Sequence, residues 1–187
     1  FATRVSVFTH HLSSSSGTRG MSFGLFFGIS PTYWKAFDLS GTSPLFSQTL
    51  LEQGYDVQTF PSATLQNPPF DRIIFGEVPH LRTETQGATP FDRDTRLTAD
   101  FLQYLDQKPD KTFFAFLFYD LLQAISIPAP HRHKFEPSWE YANYMALNNE
   151  MDATPFFNLY RNCGWYVDSL VGSIVGELEH KGLLDNS

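Results

Sequence analysis

Cysteine is nearly absent from this chain. Only Cys163 occurs in 187 residues, so no disulfide can form within it. That fits the cytosol and equally an oxidising compartment, where many domains also lack disulfides. Long apolar runs are missing too. Nothing approaches the ~20 residues that cross a bilayer as a helix, and no signal peptide is visible. Positive charge is scarce: 13 Lys and Arg face 20 Asp and Glu, a formal net charge of −7. This argues against nucleic acid and against a general attraction to anionic lipid. Repeats of solenoid period are absent. The chain starts at Phe1 without methionine and both ends read as cut, so targeting signals are expected outside it.

What is present is aromatic. Phenylalanine occurs 19 times and aromatic residues make up 16% of the chain. With 42% hydrophobic residues this is a globular chain, long enough for one domain, with a phenylalanine-rich core or an apolar surface that a partner covers. Alternation predicts a strand over Thr3 to Phe8, then a polar loop from His10 to Gly20 and a short helix over Met21 to Phe27, ended by Ser30-Pro31. Ser43-Pro44 opens a helix with a stripe of Leu45, Leu50 and Leu51, and Gly54 caps it. Tyr55 to Phe60 reads as a strand. Pro61 to Pro90 reads as an irregular connection with a short helix.

Thr89-Pro90 with Asp92 and Asp94 marks a helix start, and Leu97, Phe101, Leu102 and Leu105 form its buried stripe, closed by Pro109. Thr112 to Tyr119 is almost wholly apolar, as expected of a central parallel strand buried on both faces. Asp120 stands at its C-terminal end, where ligand sites of α/β sheets gather. Thr154-Pro155 starts a long helix with Phe157, Tyr160, Gly164, Val167, Val171, Ile174 and Leu178 on one face, ended by Gly182. A turn toward another strand follows at Leu183 to Asn186. Helices alternating with strands predict an α/β fold, a mainly parallel sheet with helices on both faces.

The segment Phe8-Thr-His-His-Leu-Ser-Ser-Ser-Ser-Gly-Thr18-Arg-Gly-Met-Ser-Phe-Gly-Leu-Phe-Phe-Gly28 carries the most chemical information. Thr18 lies between Gly17 and Arg19 where a helix could begin. A hydroxyl there, beside an arginine, suits an anion such as phosphate or sulfate. It also suits a hydroxyl nucleophile, provided something lowers its pKa. The plainer alternative is a flexible serine-rich loop with an N-capping threonine.

This loop, the run Phe23-Gly-Leu-Phe-Phe-Gly-Ile-Ser-Pro31, and the ending Asn158-Leu-Tyr-Arg-Asn162, Tyr166-Val-Asp-Ser-Leu170 and Leu178 to Asn186 resemble the sulfatase-like domains of the alkaline phosphatase superfamily. They look most like the inner-membrane sulfatase-like proteins of Gram-negative bacteria. The resemblance implies a partial sulfatase-like domain over residues 1–187, truncated at both ends and held at the periplasmic face of the inner membrane. It implies Thr18 as nucleophile and metal-bound oxygen, with Arg19 near the anion, and a divalent metal (zinc, manganese or magnesium) in the full-length protein. Without Cys-x-Pro-x-Arg there is no formylglycine, so the chemistry would be that of threonine-using phosphotransferases. The family's first metal-binding aspartate would precede Phe1 and its Asp-His pair would follow Asn186. Leu122-Gln123 stands where many relatives have Pro-His, and glutamine cannot titrate like imidazole. The chain alone is therefore expected to be inactive. The alternative is a non-catalytic envelope regulator binding lipid or lipopolysaccharide and an inner-membrane protein, with self-association through cut sheet edges a further expectation.

Other candidates rank lower. His10 and His11 are adjacent, point to opposite faces of an extended segment, and read as structural or surface residues. His131 and His133 alternate, which would put them on one strand face. With Arg132 and Lys134 they form the basic cluster of an acidic chain, suited to an anionic headgroup, or else a solvated loop. Asp92, Asp94 and Glu136 read as helix-start and surface carboxylates. Cys163, Asn158, Arg161 and Asn162 read as structural.

Overall fold

The computed structural model describes residues 8–107 and 111–184. The expected strand at Thr3 to Phe8 falls outside that range apart from Phe8, as do Pro109 and Asp185-Asn186. The chain divides into two compact units, Phe1–Gly54 with Gln66–Pro79, and Tyr55–Leu65 with His80–Ser187.

Among the described residues the first unit holds four α-helices: α1 (Thr18–Phe27), α2 (Trp34–Ser40), α3 (Leu45–Glu52) and the single turn α4 (Phe70–Ile73). Helix α1 starts three residues earlier than its apolar run. It ends at Gly28, which takes the left-handed conformation (φ 68°) and donates its N–H to the Gly24 carbonyl. Pro31 opens the next 3₁₀ turn instead of terminating α1. The interior is aromatic, as the phenylalanine count implies. Phe23 stacks on Phe27 at 4.3 Å between ring centres and meets Trp34 and Phe37 edge-on, while Phe26 meets Phe75. In α3 the expected leucine stripe does not hold. Leu45 is 78% exposed, and Ser47 is buried with its hydroxyl donating to the Ile74 carbonyl at 3.0 Å. The polar atom wins the inner position because the end of α4 presents an acceptor there.

The second unit contains β1 (Asp56–Pro61), α5 (Pro90–Gln107), β2 (Phe113–Phe118), the single turn α6 (Leu121–Ala124) and α7 (Thr154–His180). The strands pair in parallel, Asp56 with Phe113 through Pro61 with Phe118. Two parallel strands separated by a long helix form one βαβ crossover, the unit of an α/β fold. Phe60, Phe113, Ala115 and Leu117 share one face and pack against Leu97, Phe101 and Leu105 of α5 and Ile174 of α7. Each residue of β2 is half-buried rather than buried on both faces. Among the described residues the sheet has two strands.

Helix α5 starts where Thr89-Pro90 indicates. The Asp92 carboxylate accepts from the Thr89 N–H and hydroxyl, and the Thr89 hydroxyl accepts from the Asp92 N–H, a reciprocal cap. Such a cap contributes ~1 kcal/mol. Burying Leu97, Phe101 and Leu105 contributes about 5–9 kcal/mol together, so packing, not capping, holds α5.

Candidate functional site

Thr18 stands at the first position of α1, after an extended Gly17 (φ −116°, ψ 146°). The first turn of α1 carries no acidic residue. Arg19 is exposed, with its guanidinium 5.7 Å from the centre of the Trp34 ring. The serine stretch ahead of Thr18 is seated rather than loose. Ser13 donates to the Ser15 carbonyl at 2.7 Å, the Gly17 N–H donates to Ser15 Oγ at 3.2 Å, and Ser14 Oγ donates to the Gly20 carbonyl at 3.2 Å. Gly20 and Gly24, one turn apart on the same face of α1, leave the room the loop fills. A Cβ on Gly20 would lie 2.6 Å from Ser15, and one on Gly24 would run into Ser14. The loop thus runs back along its own helix, and Thr18 sits at the bend.

A second arrangement occupies the C-terminal ends of the two strands. Arg93 and Asp94, neighbours on α5, hold both ends. Arg93 donates Nε–H to the Ser62 carbonyl at 2.8 Å, just past β1, and its guanidinium lies 3.4 Å from the Asp120 carboxylate, just past β2. Asp94 accepts from the backbone N–H groups of Asp120 (3.1 Å) and Leu121 (2.9 Å), the start of α6. Asp94 is 0% exposed, so the expectation of a surface carboxylate at a helix start is wrong. It is buried because it satisfies donors that the sheet edge would otherwise strand. Burial pushes its carboxyl above the usual carboxylate value, opposed by hydrogen bonding that includes those two N–H groups. Burial also raises Asp120, opposed by the positive charge of Arg93. Gln123 lies exposed on α6. Helix periodicity alone could not find this clamp; the signal was Asp120 at the end of an apolar strand.

The two histidines do not share a strand face, because residues 129–131 form a 3₁₀ turn. His131 packs against Phe91 and Tyr166, both at 5.0 Å between ring centres. His133 instead borders an open depression with Arg132, Glu136, Ser138 and Glu140. Lys134 lies 5.6 Å from the centre of the Trp165 ring. Helix α7 holds this segment with amides. Asn162, fully buried, accepts from the Phe135 N–H at 2.9 Å and donates to the carbonyls of Phe135 (3.0 Å) and Arg132 (3.2 Å). Asn158 donates to the Pro137 carbonyl at 2.9 Å and accepts from Arg161. The inner face of α7 is therefore Asn158, Leu159, Asn162, Cys163, Val167 and Ile174. Phe157 and Tyr160, expected inside, are 55% and 44% exposed. Cys163 is buried, and burial pushes its thiol up to about 11.

Among the described residues no group of three or more His, Cys, Asp or Glu is placed to hold a metal ion, and Thr18 supplies one oxygen. The described residues do not by themselves fit a divalent ion. No helix among them is long and apolar enough to cross a membrane.

A parallel βαβ unit followed by a long helix places the chain in the α/β class of folds. The family model for sulfatases matches residues 1–187, and the chain belongs to the sulfatase family, with its alkaline phosphatase-like α/β fold. It is also similar to the inner membrane protein YejM of Salmonella typhimurium, 31% identical over 91 residues, which is 48% of this chain and 16% of that protein. YejM of Salmonella typhi matches equally. The matching stretch thus spans about a sixth of the length of these relatives.

Proposed function

We propose that this chain is part of a sulfatase-like domain on the periplasmic face of an inner-membrane protein. In the full-length protein, Thr18 Oγ attacks the phosphorus or sulfur of an ester, the ester alcohol leaves with the hydroxyl proton as its bond breaks, water then frees the phosphate or sulfate from Thr18, and Arg19 lies near the anion. The observation that supports this reading best is the seating of Thr18. Its hydroxyl stands at the start of a ten-residue helix whose partial positive charge favours an anion, behind a loop held by four hydrogen bonds. A divalent metal (zinc, manganese or magnesium) at Thr18 belongs to this reading and requires donors beyond the described residues. The test is turnover of p-nitrophenyl phosphate and p-nitrophenyl sulfate by the full-length protein and its Thr18→Ala variant. Loss of about a millionfold is expected on removing a hydroxyl nucleophile, and equal rates would overturn the assignment. The 187-residue chain alone is expected to turn over neither ester, and measurable hydrolysis by it would refute that.

A second reading rests on Gln123, an exposed carboxamide close to Asp120 where the family resemblance implies an imidazole. Here the full-length protein is an envelope regulator that binds lipid or lipopolysaccharide and an inner-membrane partner, with His131 and His133 near the anionic headgroup. It predicts that lipid retention by the intact protein survives Thr18→Ala and falls on His133→Ala. Stoichiometric metal bound through Thr18 would count against it.

A further inference from the structure

We propose that Ser14, Gly20 and Gly24 form a clasp that positions Thr18; this rests on the reading of Thr18 as nucleophile. Helical glycines generally weaken a helix, because they add unfolded-state freedom and bury nothing. Two of them one turn apart need a reason. At two glycines of α7 that reason is absent: a Cβ on Gly172 or Gly176 would meet nothing within 4 Å. On α1 the space is filled. Ser15 lies against Gly20 and Ser14 against Gly24, and Ser14 Oγ also donates to the Gly20 carbonyl. Pro31 adds a third wall, 3.2 Å from a Cβ on Gly20.

The geometry is that of a short hairpin with one helical arm. The loop arm descends from Ser14 to Ser15 along the glycine face and turns at Ser16-Gly17. It delivers Thr18 to the first helical position, where the Met21 N–H donates to the Gly17 carbonyl at 2.9 Å. Seating Ser14 and Ser15 therefore fixes the direction from which the chain enters Gly17 and with it the aim of the Thr18 hydroxyl. Arg19 is not part of this contact; its guanidinium lies over the Trp34 ring. Ser14, Gly20 and Gly24 touch no reacting atom and act through Thr18. A nucleophile displaced by ~1 Å can lose about a hundredfold in rate, which is the scale on which a methyl group forced under Ser14 would act.

The experiment is a swap across the contact in the full-length protein, with p-nitrophenyl ester turnover as readout. Gly24→Ala adds the carbon that collides with Ser14, and Ser14→Gly removes both atoms it collides with. Each single variant is expected to lower kcat, Gly24→Ala by about ten- to a hundredfold, with KM within about twofold. The double variant Ser14→Gly/Gly24→Ala is expected to recover to within about threefold of the starting rate, a non-additivity that simple helix damage cannot produce. Gly176→Ala, with open space around it, controls for helix propensity and leaves kcat unchanged. An unchanged kcat in Gly24→Ala overturns the proposal, and so does a double variant as slow as Gly24→Ala.

Amide hydrogen exchange at Gly17 to Gly20 gives a readout independent of turnover. It should speed up in Gly24→Ala and return in the double variant, and unchanged exchange also overturns the clasp. If Gly24→Ala does not fold, recovery of a folded protein in the double variant supports the same contact, and failure of both removes it. Should Thr18→Ala leave turnover intact, the nucleophile reading fails by itself, and the exchange data then decide the clasp.

Discussion

Replacing Asp94 gives the most exacting test of how the sheet edge is held. Its two oxygens accept from the N–H groups of Asp120 and Leu121 at 3.1 and 2.9 Å, and Leu121 is fully buried. Asp94→Ala leaves both donors without this partner, the Leu121 N–H in a buried position and the Asp120 N–H in a half-buried one. A stranded buried donor costs about 1–3 kcal/mol, so the loss sums to about 2–6 kcal/mol. Against this, the variant no longer desolvates a carboxyl whose raised pKa records that penalty. The net expectation is a loss of about 2–4 kcal/mol for Asp94→Ala and about half that for Asp94→Asn, which keeps one acceptor. Urea unfolding of the 187-residue chain at pH 7, followed by circular dichroism, measures it. A change below about 0.5 kcal/mol for Asp94→Ala would refute the clamp.

The pH dependence supplies an independent sign. The folded-state pKa of Asp94 lies above its usual 3.8, so its contribution is fully present below that value and is lost as pH rises through the folded one. The margin of the unmutated chain over Asp94→Asn should therefore shrink as pH rises above 3.8 and through the raised folded-state pKa. A margin that widens would contradict the burial argument.

Two further outcomes follow from α7. Asn162→Ala removes three hydrogen bonds to residues 132–135. It should cost about 2–4 kcal/mol and open the 128–140 segment to protease while α5 keeps its protection from hydrogen exchange; uniform loosening of both would show that the amide is not a local tether. The Cys163 thiol, raised to about 11 and buried, should resist iodoacetamide at pH 8 in the folded chain and react once urea unfolds it, whereas fast labelling of the folded chain would contradict its burial.

Helix ends were the most legible part of the sequence, because each rests on one or two residues. Thr89-Pro90, Thr154-Pro155, Gly54 and Gly182 all mark ends within a residue or two. The parallel pairing followed from an apolar run with a helix on each side. Burial faces were less legible. Periodicity put Phe157 and Tyr160 inside α7, but the irregular 132–137 segment presents carbonyls and an N–H that apolar side chains cannot satisfy, so Asn158 and Asn162 take the inner positions. Asp94 was misplaced for the same reason, since its partners lie 26 and 27 residues away in sequence. Around Thr18, the polar composition of the serine loop suggested looseness. What seats it is the spacing of Gly20 and Gly24, a feature of the helix rather than of the loop. His131 and His133 diverge because a 3₁₀ turn, not a strand, carries the first of them.

The adjacency of Arg93 and Asp94 has a mechanical consequence. Both strand tips are fastened to a single turn of one helix, so a roll of α5 about its long axis drags the two tips together as a lever moves its load about one fulcrum. Strain arriving anywhere along that eighteen-residue rod is delivered to the strand tips as a concerted shift and not as a separation between them.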